Sequence, residues 1–279
     1  QLYLVRESLG LDAESLRLLD RYHTDFVRAG AQLSDDQKAR LRAINADLAA
    51  LSTAFSQAVL DDVNDSAVIV ESREELAGMT ENQIESAAKE GVNRGLDGKY
   101  VVTLRNTTQQ PPLTVLKNRA LRQRIQEVSA ARGSRGNEFD TRNMVTRVLH
   151  LRAERAAMIG YETHAAYILD DSTAKTVAAV NDMLGQLGPR AVANAVREAA
   201  DLQQLINDTE DDPFEIAAWD WLYYTEKLRK RRYSFDETQL KPYFELNRSL
   251  TEGVFYMAEH LYGVTLEARP DLPVYQEDV

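Results

Sequence analysis

The chain has 279 residues, 44% hydrophobic and 28% charged, proportions ordinary for a soluble globular protein and ample for a large core in one or two domains. Its 44 acidic against 33 basic residues give a net charge of −11, which argues against broad binding to nucleic acid or anionic membranes, and no run of about 18 apolar residues offers a membrane span. There is no cysteine, so disulfides and thiol catalysis are excluded and any zinc site would need His and carboxylate ligands; no signal peptide is visible, and an intracellular chain fits best.

Taken in order, the first element is a helix over Leu9–Gly30, with Leu16, Leu19, Tyr22 and Phe26 inward and Gly30 as its cap. Ser34 and Gln37 form a capping-box pattern that opens a longer helix, with the stripe Leu41, Ile44, Leu48, Leu51, Phe55 and Val59. A short turn between the two predicts an antiparallel helical hairpin over 1–66. The β-branched run Ala67–Val70 and the alternating Lys99–Leu104, preceded by the Asp97-Gly98 turn, predict two short strands that pair. Between them Ser72–Gly78 and Thr80–Gly91 read as short helices, each with its own capping pattern (Ser72/Glu75 and Thr80/Gln83).

Pro111-Pro112 opens a helix reaching about Arg132, with Leu113, Leu116, Leu121, Ile125 and Val128 inward. Asp140–Ile159, closed by Gly160, and Thr163–Leu169 are helical. Lys175–Leu187 is a helix ended by Gly188-Pro189. Arg190–Asn207 is a separate one, with Val192, Val196, Ala199, Leu202 and Ile206 inward. A helix over about Ala217–Arg232, a continuation capped by Asp236 and Gln239, and Leu246–Leu261 complete a helical body over 105–263. Residues 264–279, with Pro270 and Pro273, form an extended tail. The fold class is mainly α, with a small β element near residues 67–104.

Trp219–Phe244 holds eight of the 21 aromatic residues and is the packing hub. Within it Trp219, Asp220, Tyr223 and Tyr224 are candidate cleft-lining residues, since indole and phenol groups can hold a peptide backbone while the rings take side chains. The alternative is a buried seam between helices with Asp220 as N-cap. Lys227–Arg232 has five basic residues in six; as a nucleic-acid patch it would give steeply salt-dependent binding, but at the end of a helix it complements the dipole. His150 and Glu154, four apart, could face one metal, but no third or fourth ligand is close, and a hydrogen bond or ion pair is the simpler expectation. Glu162 and His164 read as part of a packed helix junction at Gly160.

The segment WDWLYYTEKLRKRRYSFDETQLKPYFELN, from Trp219, and the segment GVFYMAEHLYGVTLE, from Gly253, resemble the M3 family of zinc metallopeptidases, in particular its bacterial peptidyl-dipeptidases. Asn106–Pro111, Leu151–Ala165 and Ala174-Lys175-Thr176 fit the same resemblance, which runs from Leu4 to the end. It implies part of a helix-rich ellipsoid split by a deep cleft, and a cytoplasmic, monomeric parent enzyme. That enzyme would use zinc and the Glu of an H-E-x-x-H motif to release dipeptides from the C-termini of short or unfolded peptides. None of the four histidines here begins that motif. The chain is therefore expected to be an interior, non-catalytic portion with no catalytic or metal-binding residue and no zinc of its own, inactive alone, and with no nucleic-acid or membrane partner. A non-catalytic helical module that binds peptides or proteins is the alternative.

Overall fold

The computed structural model describes residues 2–233 and 240–276, with the side chains of 106–110 and 241 excepted. It divides into two units, 1–226 and 227–279, and the boundary falls within one helix. The fold is mainly α, as expected. In the first unit a 3-10 turn, Leu2–Ser8, precedes α1 (Ala13–Arg28) and α2 (Asp35–Asp65). Strand β1 (Val68–Val70), α3 (Glu81–Asn93) and β2 (Tyr100–Val102) follow. Then come α4 (Asn106–Val115), α5 (Arg119–Ala130), α6 (Arg142–Met158), α7 (His164–Leu169), α8 (Val177–Thr209) and α9 (Trp221–Tyr233).

Where the predicted signals are local, the elements form as read. Ser34 and Gln37, and Thr80 and Gln83, close both halves of their capping boxes. The two strands pair antiparallel, Val68 opposite Val102 and Val70 opposite Tyr100. Val68 and Val70 are buried and Ile69 is exposed, the period-two alternation of a one-sided sheet. Gly160 takes a left-handed φ of 89°, which turns the chain out of α6. Only one turn forms in the stretch read as a helix over Ser72–Gly78, the 3-10 turn Glu74–Leu76.

Three expectations are corrected. The extended pairing of α2 is with α6 rather than α1, held by Arg40–Glu154 and Arg147–Asp47 and by buried Leu41, Ile44, Leu151 and Ala156. α1 makes its contacts on its His23 side, where Tyr3 stacks on the imidazole and Arg28 reaches Tyr161 and Asp170; Tyr22 and Phe26 therefore stay exposed. The helix expected from Pro111 to Arg132 is two helices. α4 begins at Asn106 and contains both prolines, and Asn118 caps α5 by accepting from the Leu121 amide at 3.1 Å. Lastly, Gly188-Pro189 does not end a helix: α8 runs through it, and Val192 and Val196, expected inward, are exposed. The proline ring bears on the carbonyl four residues back, here Gly185, and the whole stretch is exposed, so water can take up the freed carbonyl.

The main core joins the end of α2, the inner face of the sheet, α3, α4 and α5 through Val63, Val68, Val70, Leu76, Ile84, Val102, Leu104, Leu113, Leu116, Leu121 and Ile125. Buried Asp62 ties the end of α2 to the loop before α6, accepting from the Gly133 amide at 3.0 Å and Arg135 Nε at 2.9 Å.

The second unit carries α10 (Leu246–Arg248), a π-helical segment Ser249–Phe255 and α11 (Tyr256–Tyr262), ended by Gly263 with φ 66°. The expected cap formed by Asp236 and Gln239 lies outside the described residues. None of the described residues of this unit is buried.

Candidate functional site

Asn118 starts α5, and Arg119 and Arg122, three residues apart, then project from one side of it. They meet the turn that opens α9. In that turn the Asp220 amide donates to the Ala217 carbonyl at 2.9 Å, and the Ala217 amide donates back to Asp220 Oδ2 at 3.1 Å. Arg119 donates to the same carboxylate through Nε and Nη2, the latter at 2.7 Å, and Arg122 Nη2 donates to Oδ1 at 2.8 Å. Asp220 is 0% and Arg122 1% exposed. Arg122 uses its other nitrogens on the carbonyls of Trp219, Leu116 and Lys117. Burial pushes the Asp220 carboxyl up, but the bonds from Arg119, Arg122 and the Ala217 amide outweigh it and hold the group below the usual carboxylate range.

Trp219–Phe244 is not the packing hub expected of it: Tyr223 and Tyr224 pack at this pair, whereas Tyr233, Tyr243 and Phe244 are exposed, and the main core lies between Val63 and Ile125. Tyr223 lies under the Arg122 guanidinium, 4.2 Å from ring centre to Cζ, and meets Tyr224 edge-on at 5.1 Å. Arg119 covers Phe214 at 4.0 Å. Tyr224 is buried and donates its hydroxyl to Glu210 at 2.7 Å; burial and that carboxylate both push the phenol well above its ordinary range. Trp219 is half-buried, and its indole nitrogen is buried without a hydrogen-bond partner among the described residues.

Of the four candidate residues, Trp219 and Tyr223 keep partial exposure, whereas Asp220 and Tyr224 are buried. Both oxygens of Asp220 accept from guanidiniums, Oδ2 from Arg119 and Oδ1 from Arg122. A carboxylate so engaged serves as a structural clamp and is not free to take up a proton from substrate. Arg119 and Arg122 were not singled out from the sequence. The signal lay in Asp220 itself, a charge set between two tryptophans that needed a cationic partner.

Glu154, weighed as a metal ligand with His150, instead accepts from Arg40 Nε at 2.6 Å and Nη2 at 2.7 Å. No group of three or more His, Asp or Glu among the described residues could hold a metal. No helix among them is long and apolar enough to cross a membrane. The basic residues Lys227 and Arg229–Arg232 all have interaction partners. The side chains of Asn106–Gln110, part of the family-like segment, lie outside the described set.

His164 opens α7 with its Nδ1 buried and unpartnered and its ring tilted against Tyr167. Burial, then Arg152 and Arg155, hold its pKa below the ordinary value. The unfolded chain thus takes up a proton first, so stability falls as pH drops through roughly 6.5 towards the lower folded value. An NMR titration of the His164 ring should show a midpoint below that of a free histidine; one at or above it would contradict this surrounding of cations.

The matched family model is Peptidase family M3, over residues 113–279, and the chain belongs to that family. It is 39% identical over 274 residues to the dipeptidyl carboxypeptidase of Escherichia coli, covering 98% of this chain and 40% of that protein. The Salmonella typhimurium dipeptidyl carboxypeptidase is 40% identical over 274 residues, with the same coverage. Oligopeptidase A of E. coli is 30% identical over 273 residues, 96% of this chain and 40% of that protein. The chain thus spans about 40% of the length of these relatives.

Proposed function

We propose that this chain is part of a zinc-dependent peptidyl-dipeptidase, cytoplasmic and monomeric, which releases dipeptides from the C-termini of short or unfolded peptides. The supporting observation is the 39% identity along nearly the whole chain to a protein named dipeptidyl carboxypeptidase. In this reading the chain walls part of the substrate cleft and is inactive alone. Trp219 and Tyr223, the half-buried pair, face the cleft, and the Arg119–Asp220–Arg122 clamp with Tyr224 fixes their position. Zinc is the implied metal, and the described residues do not fit it: they bring no three ligating side chains together. The reading therefore assigns the metal's ligands to chain outside these residues.

The test is a chimera in which this chain replaces the aligned 274 residues of the E. coli relative. The chimera should release C-terminal dipeptides from an oligopeptide with a free C-terminus, spare the C-terminally amidated peptide and lose activity to a chelator. The isolated chain should release nothing. Chelator-sensitive turnover by the chain alone, or a folded chimera without dipeptide release, would overturn the reading.

A further inference from the structure

α8 carries one apolar stripe that the fold covers at one end only. Leu184, Leu187, Ala191, Ala195, Leu202 and Ile206 follow at steps of three, four or seven and so share one side of the helix. Leu202 and Ile206 are 2% and 0% exposed, whereas Leu184 and Leu187, on the same line, are 53% and 59% exposed. Every residue from 181 to 198 is exposed. The bare stretch from Leu184 to Ala195 is roughly 17 Å long at the helical rise. It also contains Gly185, Gly188 and Pro189, the weakest helix formers, so its own propensity does not favour a helix in water. A helix that persists there calls for a packing partner, and its small residues allow a close one.

We propose that this face of α8 docks on the remainder of a family M3 chain, the part outside the span this chain shares with its relatives. The proposal rests on the reading above that the chain works within a larger peptidase. Two observations select this occupant. The relatives carry more than half of their length beyond the shared span. The same side of α8 leads, past Glu198 and half-buried Ala199, into a packed seam of the same fold at Leu202 and Ile206. A second copy fits less well, since two chains meeting along about three helical turns would cover less than the roughly 1,200 Å² of a stable interface.

The absence of native cysteine makes the test direct. Leu184→Cys and Leu187→Cys, with Ala193→Cys on the opposite side of the helix as control, are labelled by a thiol reagent in the isolated chain and in the chimera described above, with mass spectrometry locating the label. All three should react freely in the isolated chain. In the chimera the first two should slow at least tenfold while the control stays fast. Slow labelling of Leu184→Cys and Leu187→Cys in the isolated chain would overturn the proposal, because the chain or a second copy would then cover the face itself. Fast labelling in a folded chimera would also overturn it, whether or not that chimera releases dipeptides. Protection in a folded but inactive chimera would uphold the docking face and remove the peptidase reading. If the chimera does not fold, the chain is mixed with the remainder of the relative made separately; protection supports the proposal and its absence overturns it.

Discussion

Asp220→Ala should destabilise the first unit by about 3–5 kcal/mol, because it leaves Arg122 buried and charged without its carboxylate. The two tryptophans of the chain, at 219 and 221, flank the substitution, so urea unfolding followed by their fluorescence reads this corner directly. Asp220→Asn, which keeps the shape and removes the charge, should lose most of the same stability. The paired change Asp220→Leu with Arg122→Met should recover only part of it, since it removes the unpaired buried charge but leaves the Trp219, Leu116 and Lys117 carbonyls without their donor. A loss under about 1 kcal/mol for Asp220→Ala would mean that the cluster is solvated and not a clamp.

Gly78→Ala should cost on the order of 3 kcal/mol, from two separate causes. The residue sits at φ +104°, and a Cβ there would stand 2.0 Å from the Val115 carbonyl oxygen and 3.0 Å from its carbon. Those are backbone atoms at the end of α4, and the Lys117 amide is already bonded to the Ala77 carbonyl at 2.8 Å, so neither side can step back cheaply. Gly95→Ala isolates the first cause. Its φ is +70° with nothing within 4 Å of the new methyl, so it should cost only about 1–2 kcal/mol. Thermal or urea unfolding of the two variants separates the terms, and equal losses would show that the close approach at Gly78 carries no energy.

The legible parts of this fold are those whose partners lie within a few residues. Ser34 finds Gln37 and Thr80 finds Gln83 three positions on, so those helix starts are written locally. The β-branched runs near 68 and 101 likewise announce their strands. The partner of α2 was not legible, because α6 lies some 100 residues away and its selection depends on pairs such as Arg40 with Glu154. Pro189 misled for a related reason: whether a proline breaks a helix depends on what surrounds the carbonyl four residues back, and Gly185 is exposed. At the candidate site the aromatic cluster was visible as composition, but the clamp that orders it was not. Arg119 and Arg122 are unremarkable in a charged helix until the chain returns with Asp220 about 100 residues later. The family resemblance reached further than periodicity because it draws on many such distant partnerships at once.

The main core also bears on how the chain is made. All eleven of its buried members fall between Val63 and Ile125, so every loop that must close to assemble it is short beside the 279-residue chain. Synthesis runs from the N-terminus, and this nucleus is complete in sequence before any of α6 to α11 has been translated. The residues of this nucleus are thus all present in the growing chain while the later helices are still to be made. The Asp220 turn is the last of the clamp's three members to be translated, about 100 residues after Arg119 and Arg122 on α5.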